Sequence, residues 1–174
     1  VQTCALPICG IGRNIAVELA REGADIVIAA RSETESDPRL PGTIHSVAEE
    51  CRALGVRALP VVCDVTKEES ITALFEAAVK EFGHVDIVVN NAGLNFPGNF
   101  QELSIKRWDL LWTLNVRGTV VASKLALDSM LPRGTGTIVN ISSVGADHAG
   151  KNSSAYAVTK QAVRKLAQAV AADY

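Results

Sequence analysis

The chain reads as an α/β protein, a doubly wound parallel sheet with helices layered on both faces. Apolar runs rich in β-branched residues alternate with segments whose apolar residues recur at helical spacing, and glycine-containing turns separate them. One more spacing suggests where the chemistry lies. Tyr156 and Lys160 stand four residues apart, with Ser143 thirteen residues before the Tyr. Positions four apart share one face of a helix, so the phenol and the ammonium point into the same cleft.

The totals narrow the classes. The 174 residues suit a single domain (residues 1–174) with a substantial core. A net charge of −2 supplies neither a basic field for nucleic acid nor a polybasic membrane patch. No apolar run approaches the roughly 20 residues that a membrane span needs, and no signal peptide is visible at the N-terminus. Cys4, Cys9, Cys51 and Cys63 form no CxxC pair, which fits reduced thiols in a cytoplasm. His45, His84 and His148 are scattered without partners at ligand spacing, so no metal site is expected.

Taken in order, residues 1–8 (VQTCALPI) leave only about four residues for a first strand, which is expected to be damaged. Gly10, Ile11 and Gly12 then open a short helix through Ile15 and Leu19 that Gly23 closes. A helix start just after Gly12 would aim free N–H groups at a pyrophosphate; a plain glycine turn fits the same residues. The run DIVIAAR is a buried strand ending at Ala30 and Arg31. An acid at that place suits the ribose hydroxyl of NAD, whereas Arg suits a 2′-phosphate. Arg31, with Arg13 nearby, therefore favours NADP(H) over NAD(H), although a solvated strand-end charge is also consistent with Arg31.

Residues 32–43, with two prolines and a glycine, form a loop. A helix carrying Ile44, Val47, Ala48, Cys51 and Leu54 stops at Gly55, and a third strand ends at Asp64. Thr66 and Glu69 read as a capping box for the next helix, whose apolar face runs from Ile71 to Phe82. A fourth strand from Asp86 runs into Asn90, Asn91, Ala92 and Gly93. Residues 104–130 form a long helical region with Asn115 among apolar neighbours, where a polar amide must find partners. Gly134 and Gly136 lead to a fifth strand that delivers Ser142 and Ser143, and a last helix from about Ser153 carries Tyr156 and Lys160. A Lys cation beside a phenol favours the phenolate, and a Tyr so placed can pass a proton to or from a substrate oxygen.

Ser143, Tyr156 and Lys160, the NNAG run at residues 90–93, the Asp64-Val65 pair and Asn115 before a Val together closely resemble the short-chain dehydrogenase/reductase family. The likeness extends from Gly10 to Tyr174. It implies a Rossmann-like three-layer fold and hydride transfer between a nicotinamide cofactor and an alcohol or carbonyl carbon. It also implies roles. Tyr156 would be the acid/base, Ser143 the group polarising the carbonyl, Lys160 the holder of the nicotinamide ribose, and Asn115 the holder of a relay water. Gly10, Ile11, Gly12, Arg31, Asp64, Val65, Asn91, Ala92, Gly93, Tyr156 and Lys160 would form the cofactor site.

Other readings of Asp64 and Asn115 stay open, as a helix cap and a packing residue. Ala5 and Leu6 stand where the family has Thr and the first Gly of its phosphate loop, which reads as a truncated start joined to unrelated sequence. The family's further strand, substrate lid and final strand are expected beyond Tyr174. The fold is thus expected to be incomplete at both ends. The implied protein is an oxidoreductase acting on CH–OH or C=O groups, a homo-oligomer (dimer or tetramer) in full-length form. The alternative is an inactive fragment, or a nucleotide-binding or dimerising module without turnover.

Overall fold

The computed structural model describes residues 2–5 (backbone), 10–31, 33–34, 42–148 and 150–174. The strands are β1 (Gln2–Ala5), β2 (Asp25–Ala30), β3 (Ala58–Val62), β4 (Ile87–Asn90) and β5 (Thr137–Asn140). The helices are α1 (Ile11–Arg21), α2 (Ile44–Arg52), α3 (Glu68–Phe82), α4 (Ile105–Trp112), α5 (Gly118–Met130) and α6 (Ser154–Asp173). The sheet order is β3-β2-β1-β4-β5, and each pairing is parallel. Strand order reverses between β1 and β4. Because β-helix-β crossovers are right-handed, helices before and after that reversal fall on opposite faces. Accordingly α1 packs beside α2, and α3 beside α5.

The first strand corrects the expectation from the sequence. It is intact over four residues and central, with Thr3–Ala5 paired on one side to Ile26–Ile28 and on the other to Ile87–Val89. Backbone ladders on both flanks hold so short a segment. The altered turn after it, around Leu6, lies outside the described residues.

In β2, Ile26, Val27, Ile28 and Ala29 are all buried, as a strand covered on both faces requires. Ile44, Val47, Ile71 and Leu74 press onto the same core from α2 and α3. Leu54, expected on the second helix, lies beyond its end and is exposed. The expected Thr66–Glu69 capping box does not form. The helix starts one residue later than that box requires: the α3 N-cap is Lys67, without a side-chain cap, and the Thr66 hydroxyl donates to Asp64. A capping box forms instead at α2, where Thr43 and Ser46 exchange side-chain and backbone hydrogen bonds of 3.1 and 2.7 Å.

The long helical region is broken by a π turn at Thr113–Arg117, which holds Asn115. Gly118 then lets α5 meet the loop after β3. A Cβ at that position would lie 2.8 Å from the Val65 carbonyl oxygen. A smaller apolar cluster of Leu103, Leu111 and Ala155, flanked by Leu94, Phe96 and Trp108, ties the segment after β4 to α4 and α6. Among the described residues no helix is long and apolar enough to cross a membrane.

Candidate active site

The site lies at the carboxyl ends of the strands, beside the reversal of strand order, where open α/β sheets place their ligands. The Asn90 amide at the end of β4 donates to Asn140 Oδ1 at 2.8 Å and lies 3.4 Å from the Ser123 hydroxyl of α5. This joins β4, β5 and α5 beyond the last ladder bonds. The chain then turns through Asn91 and Ala92 to Gly93. A Cβ on Gly93 would lie 3.2 Å from Lys160 Nζ, so the absence of a side chain there admits the ammonium.

Lys160 is 4% exposed and donates from Nζ to the Ile141 carbonyl oxygen at 2.7 Å. Burial pushes its pKa below the ordinary lysine value. Nζ sits 5.8 Å from the centre of the Tyr156 ring, one helical turn earlier on the same face of α6. Ser143, just beyond β5, caps a short 3-10 turn and accepts the Gly145 N–H at 3.1 Å. A Cβ on Gly145 would lie 3.4 Å from Ser143 Oγ and 3.8 Å from the edge of the Tyr156 ring, so the serine and the phenol flank one glycine. Ser142 donates to the Lys160 carbonyl at 3.0 Å and fastens the end of β5 to α6. The three residues picked out by their spacing thus share one small region.

Asn115 is 1% exposed and bonded on every side. Its Oδ1 accepts the Leu94 N–H at 2.9 Å, and its amide donates to the Leu94 carbonyl and to Thr159 Oγ1, each at 3.0 Å. Both amide protons are therefore spent. Only the second lone pair of Oδ1 is left from which the side chain could hold a water.

The remaining positions divide. Arg31, Val65, Ala92 and Gly93 line one cleft of about 90 Å³ together with Ala30 and Leu114. Asp64 is not among the residues lining it, although its neighbours Cys63 and Val65 are; its carboxylate accepts the Thr66 N–H at 3.0 Å and the Thr66 hydroxyl at 2.7 Å. Burial alone would raise that carboxyl, but the Thr66 bonds, with Arg31 and Lys67 nearby, outweigh it and hold its pKa low. Gly10 caps α1 at φ 76°, a backbone angle that suits glycine, while Ile11 and Gly12 form the first helical turn. Asn91 is buried in the turn after β4.

Arg13 does not join Arg31. Its guanidinium forms a forked ion pair with Glu50 of α2, including an Nε bond of 3.0 Å, so the argument for a 2′-phosphate loses one of its two cations. Thr159 and the carbonyls of Leu94 and Ile141 were missed in the sequence. The only available signal was a polar residue three positions after Tyr156, on the buried side of an amphipathic helix. Among the described residues no cluster of His, Cys, Asp and Glu could hold a metal ion.

Strand order and crossovers define a doubly wound, Rossmann-like α/β protein. Within that class the chain belongs to the short-chain dehydrogenase family, whose model, described as "short chain dehydrogenase", matches residues 8–174. It is 44% identical over 133 residues to the hydroxysteroid dehydrogenase-like protein 2 of Xenopus laevis and to that of Homo sapiens. Those alignments cover 76% of this chain and 32% of each relative, so the chain spans about a third of their length. Among solved structures, an actinorhodin polyketide ketoreductase variant with NADPH superposes with a TM-score of 0.89 at 32% identity, over 97% of this chain and 63% of that one. A short chain dehydrogenase from Mycobacterium thermoresistibile gives 0.89 at 31%, over 99% of this chain and 61% of its own.

Proposed function

We propose that the protein transfers a hydride between NADP(H) and an alcohol or carbonyl carbon, with Ser143, Tyr156 and Lys160 as its catalytic residues and Asn115 supporting them. The observation that carries this reading is the meeting of three elements. The end of β5 brings Ser143, α6 brings Tyr156 and Lys160, and the turn after β4 gives way to the Lys160 ammonium at Gly93.

The residues present fit a dinucleotide. Ala30, Ala92 and Gly93 keep the strand ends low, and a Cβ on Gly93 would crowd the Lys160 ammonium. Arg31, Asp64 and Val65 would hold the adenosine end, Asn91, Ala92 and Gly93 the middle, and Lys160 the nicotinamide ribose. Gly10, Ile11 and Gly12 would present the first N–H groups of α1 to the pyrophosphate. Arg31 is the group that favours a 2′-phosphate. When bound, the nicotinamide supplies or accepts the hydride.

In the reductive direction Tyr156 gives its phenolic proton to the substrate oxygen, while the Ser143 hydroxyl hydrogen-bonds that oxygen and polarises the carbonyl. The Lys160 charge steadies the phenolate left behind. Nζ gives one of its three protons to Ile141, so two remain for ribose hydroxyls or a water. Asn115 contributes mainly by holding the Leu94 turn, and any relay water it binds sits on Oδ1. In the oxidative direction the same groups run in reverse.

Exposed Ile105, Leu110 and Trp112 on α4 and Val158 on α6 support a homo-oligomer, a dimer or tetramer. The free, buried thiols of Cys51 and Cys63 fit a reducing compartment, and we place the protein in the cytoplasm. The test is loss of the reduced nicotinamide absorbance when the protein is mixed with NADPH and a panel of carbonyl compounds, alongside Tyr156→Phe. Turnover that falls by about 10²–10⁴-fold in the variant, with NADPH binding retained, is expected. Full activity in Tyr156→Phe would remove the phenol from the mechanism, and binding without turnover in the parent would favour a nucleotide-binding module.

A further inference from the structure

We infer that Thr159 is a positioning residue, whose hydroxyl fixes the Tyr156–Lys160 turn of α6 against the turn that follows β4. The inference rests on the catalytic reading above.

Thr159 is fully buried, at 0% exposure. A buried hydroxyl needs partners, and this one has a partner on each side. It donates to the Tyr156 carbonyl oxygen at 2.8 Å and accepts an amide proton of Asn115 at 3.0 Å. Asn115 in turn clasps the N–H and carbonyl of Leu94 at 2.9 and 3.0 Å. One continuous chain of hydrogen bonds therefore runs from the residue after Gly93, through the π turn, to the backbone of the candidate acid/base.

Geometry gives this chain its consequence. Thr159 lies between Tyr156 and Lys160 in the same turn, so a bond anchoring its side chain sets the rotation of α6 about its axis. The tolerance is small. Lys160 Nζ already lies 3.2 Å from where a Gly93 Cβ would stand, and 2.7 Å from the Ile141 oxygen on its other side. Ser142 holds the Lys160 carbonyl from β5, but it fixes distance to the strand and not the approach of α6 to the β4 turn. Without the Thr159 hydroxyl, only apolar packing around Ala155 holds α6 to the segment after β4, with no directional bond to set its rotation, and Asn115 keeps a buried N–H with no acceptor.

Two substitutions separate positioning from packing. Thr159→Val keeps shape and removes the hydroxyl; Thr159→Ser keeps the hydroxyl and removes a methyl. The expected result is a fall in kcat of about 10²-fold for Thr159→Val, as a displacement near 1 Å in a reacting group costs, with the KM for NADPH within about twofold. Thr159→Ser should recover most of the loss. A second measurement needs no turnover. In the ¹⁵N-labelled protein the Asn115 side-chain amide should exchange slowly with solvent in the parent and in Thr159→Ser, and quickly in Thr159→Val. Unchanged kcat in Thr159→Val, equal losses in both variants, or an Asn115 amide indifferent to the substitution would each overturn the inference. A parent protein without carbonyl reduction would overturn the catalytic reading instead, and the exchange measurement would then decide whether the hydroxyl holds Asn115.

Discussion

The Lys160 ammonium is buried against a neutral acceptor, the Ile141 carbonyl oxygen 2.7 Å away. No carboxylate partners it in the pairs formed among the described residues, and burial lowers its pKa from the ordinary 10.5. A buried cation without a counter-ion is costly, and the fold accepts that cost next to Tyr156.

The sign of the pH effect follows. With the folded pKa below the unfolded one, the unfolded chain holds the lysine proton to higher pH, so this group makes stability rise with pH. The penalty is complete below the folded pKa and is relieved as pH climbs from there to the unfolded value of 10.5. In Lys160→Met that rise disappears. Denaturant unfolding of parent and variant across this alkaline window should show a steeper positive slope in the parent. Equal slopes would mean that Lys160 titrates normally. Turnover should be lost in the variant at every pH.

Gly93 carries the second prediction. A Cβ there would meet Lys160 Nζ at 3.2 Å, tighter than an ordinary contact, and Cε at an ordinary 3.7 Å. The end of a lysine can shift, so Gly93→Ala should fold with less than about 1 kcal/mol lost. The shift moves the ammonium off its place, however, and kcat should fall by about tenfold or more. Melting temperature and kcat measured together test this; a variant with parental kcat would show that the site tolerates displacement of Lys160.

These contacts also show what the sequence makes legible. Tyr156 and Lys160 could be paired because helical periodicity is a local rule, and the buried strand at residues 25–30 because β-branched runs are local too. The Arg13–Glu50 pair spans 37 positions and depends on how α1 and α2 pack, so Arg13 looked available for a phosphate. The Thr159–Asn115 bond spans 44 positions and depends on how α6 packs against the π turn that holds Asn115. The first strand was underrated for a related reason. Its place is set by backbone ladders on both sides, to segments more than twenty positions away in sequence.

Cofactor choice now rests on Arg31. It directly follows β2, lines the cleft with Ala30 and Val65, and is near enough to Asp64 to lower that carboxyl. Arg31→Asp would replace the cation proposed to hold a 2′-phosphate by an acid suited to ribose hydroxyls. The KM for NADPH is expected to rise by about tenfold or more while that for NADH falls, since a charge-assisted bond contributes roughly 1.5–3 kcal/mol. Parallel titrations with the two cofactors check this, and an unchanged ratio would reassign Arg31 to the solvated surface.

Gly118 tests how closely the helix after the π turn is bound to the cleft beside Arg31. Its virtual Cβ lies 2.8 Å from the Val65 carbonyl oxygen and 3.3 Å from Val65 Cβ. Backbone cannot move aside as a lysine tip can, so in Gly118→Ala either α5 or the loop after β3 must retreat. Overpacking of this kind costs about 1–3 kcal/mol. Gly98 is the control, because its Cβ would meet only Leu103 Cδ1 at an ordinary 3.5 Å. Chemical denaturation should show Gly118→Ala clearly destabilised and Gly98→Ala nearly neutral. Val65 also walls the cleft beside Arg31, so Gly118→Ala should weaken NADPH binding as well as stability. If stability falls while NADPH affinity stays constant, the retreat has been taken up by α5, and the Val65 loop is set independently of the helix.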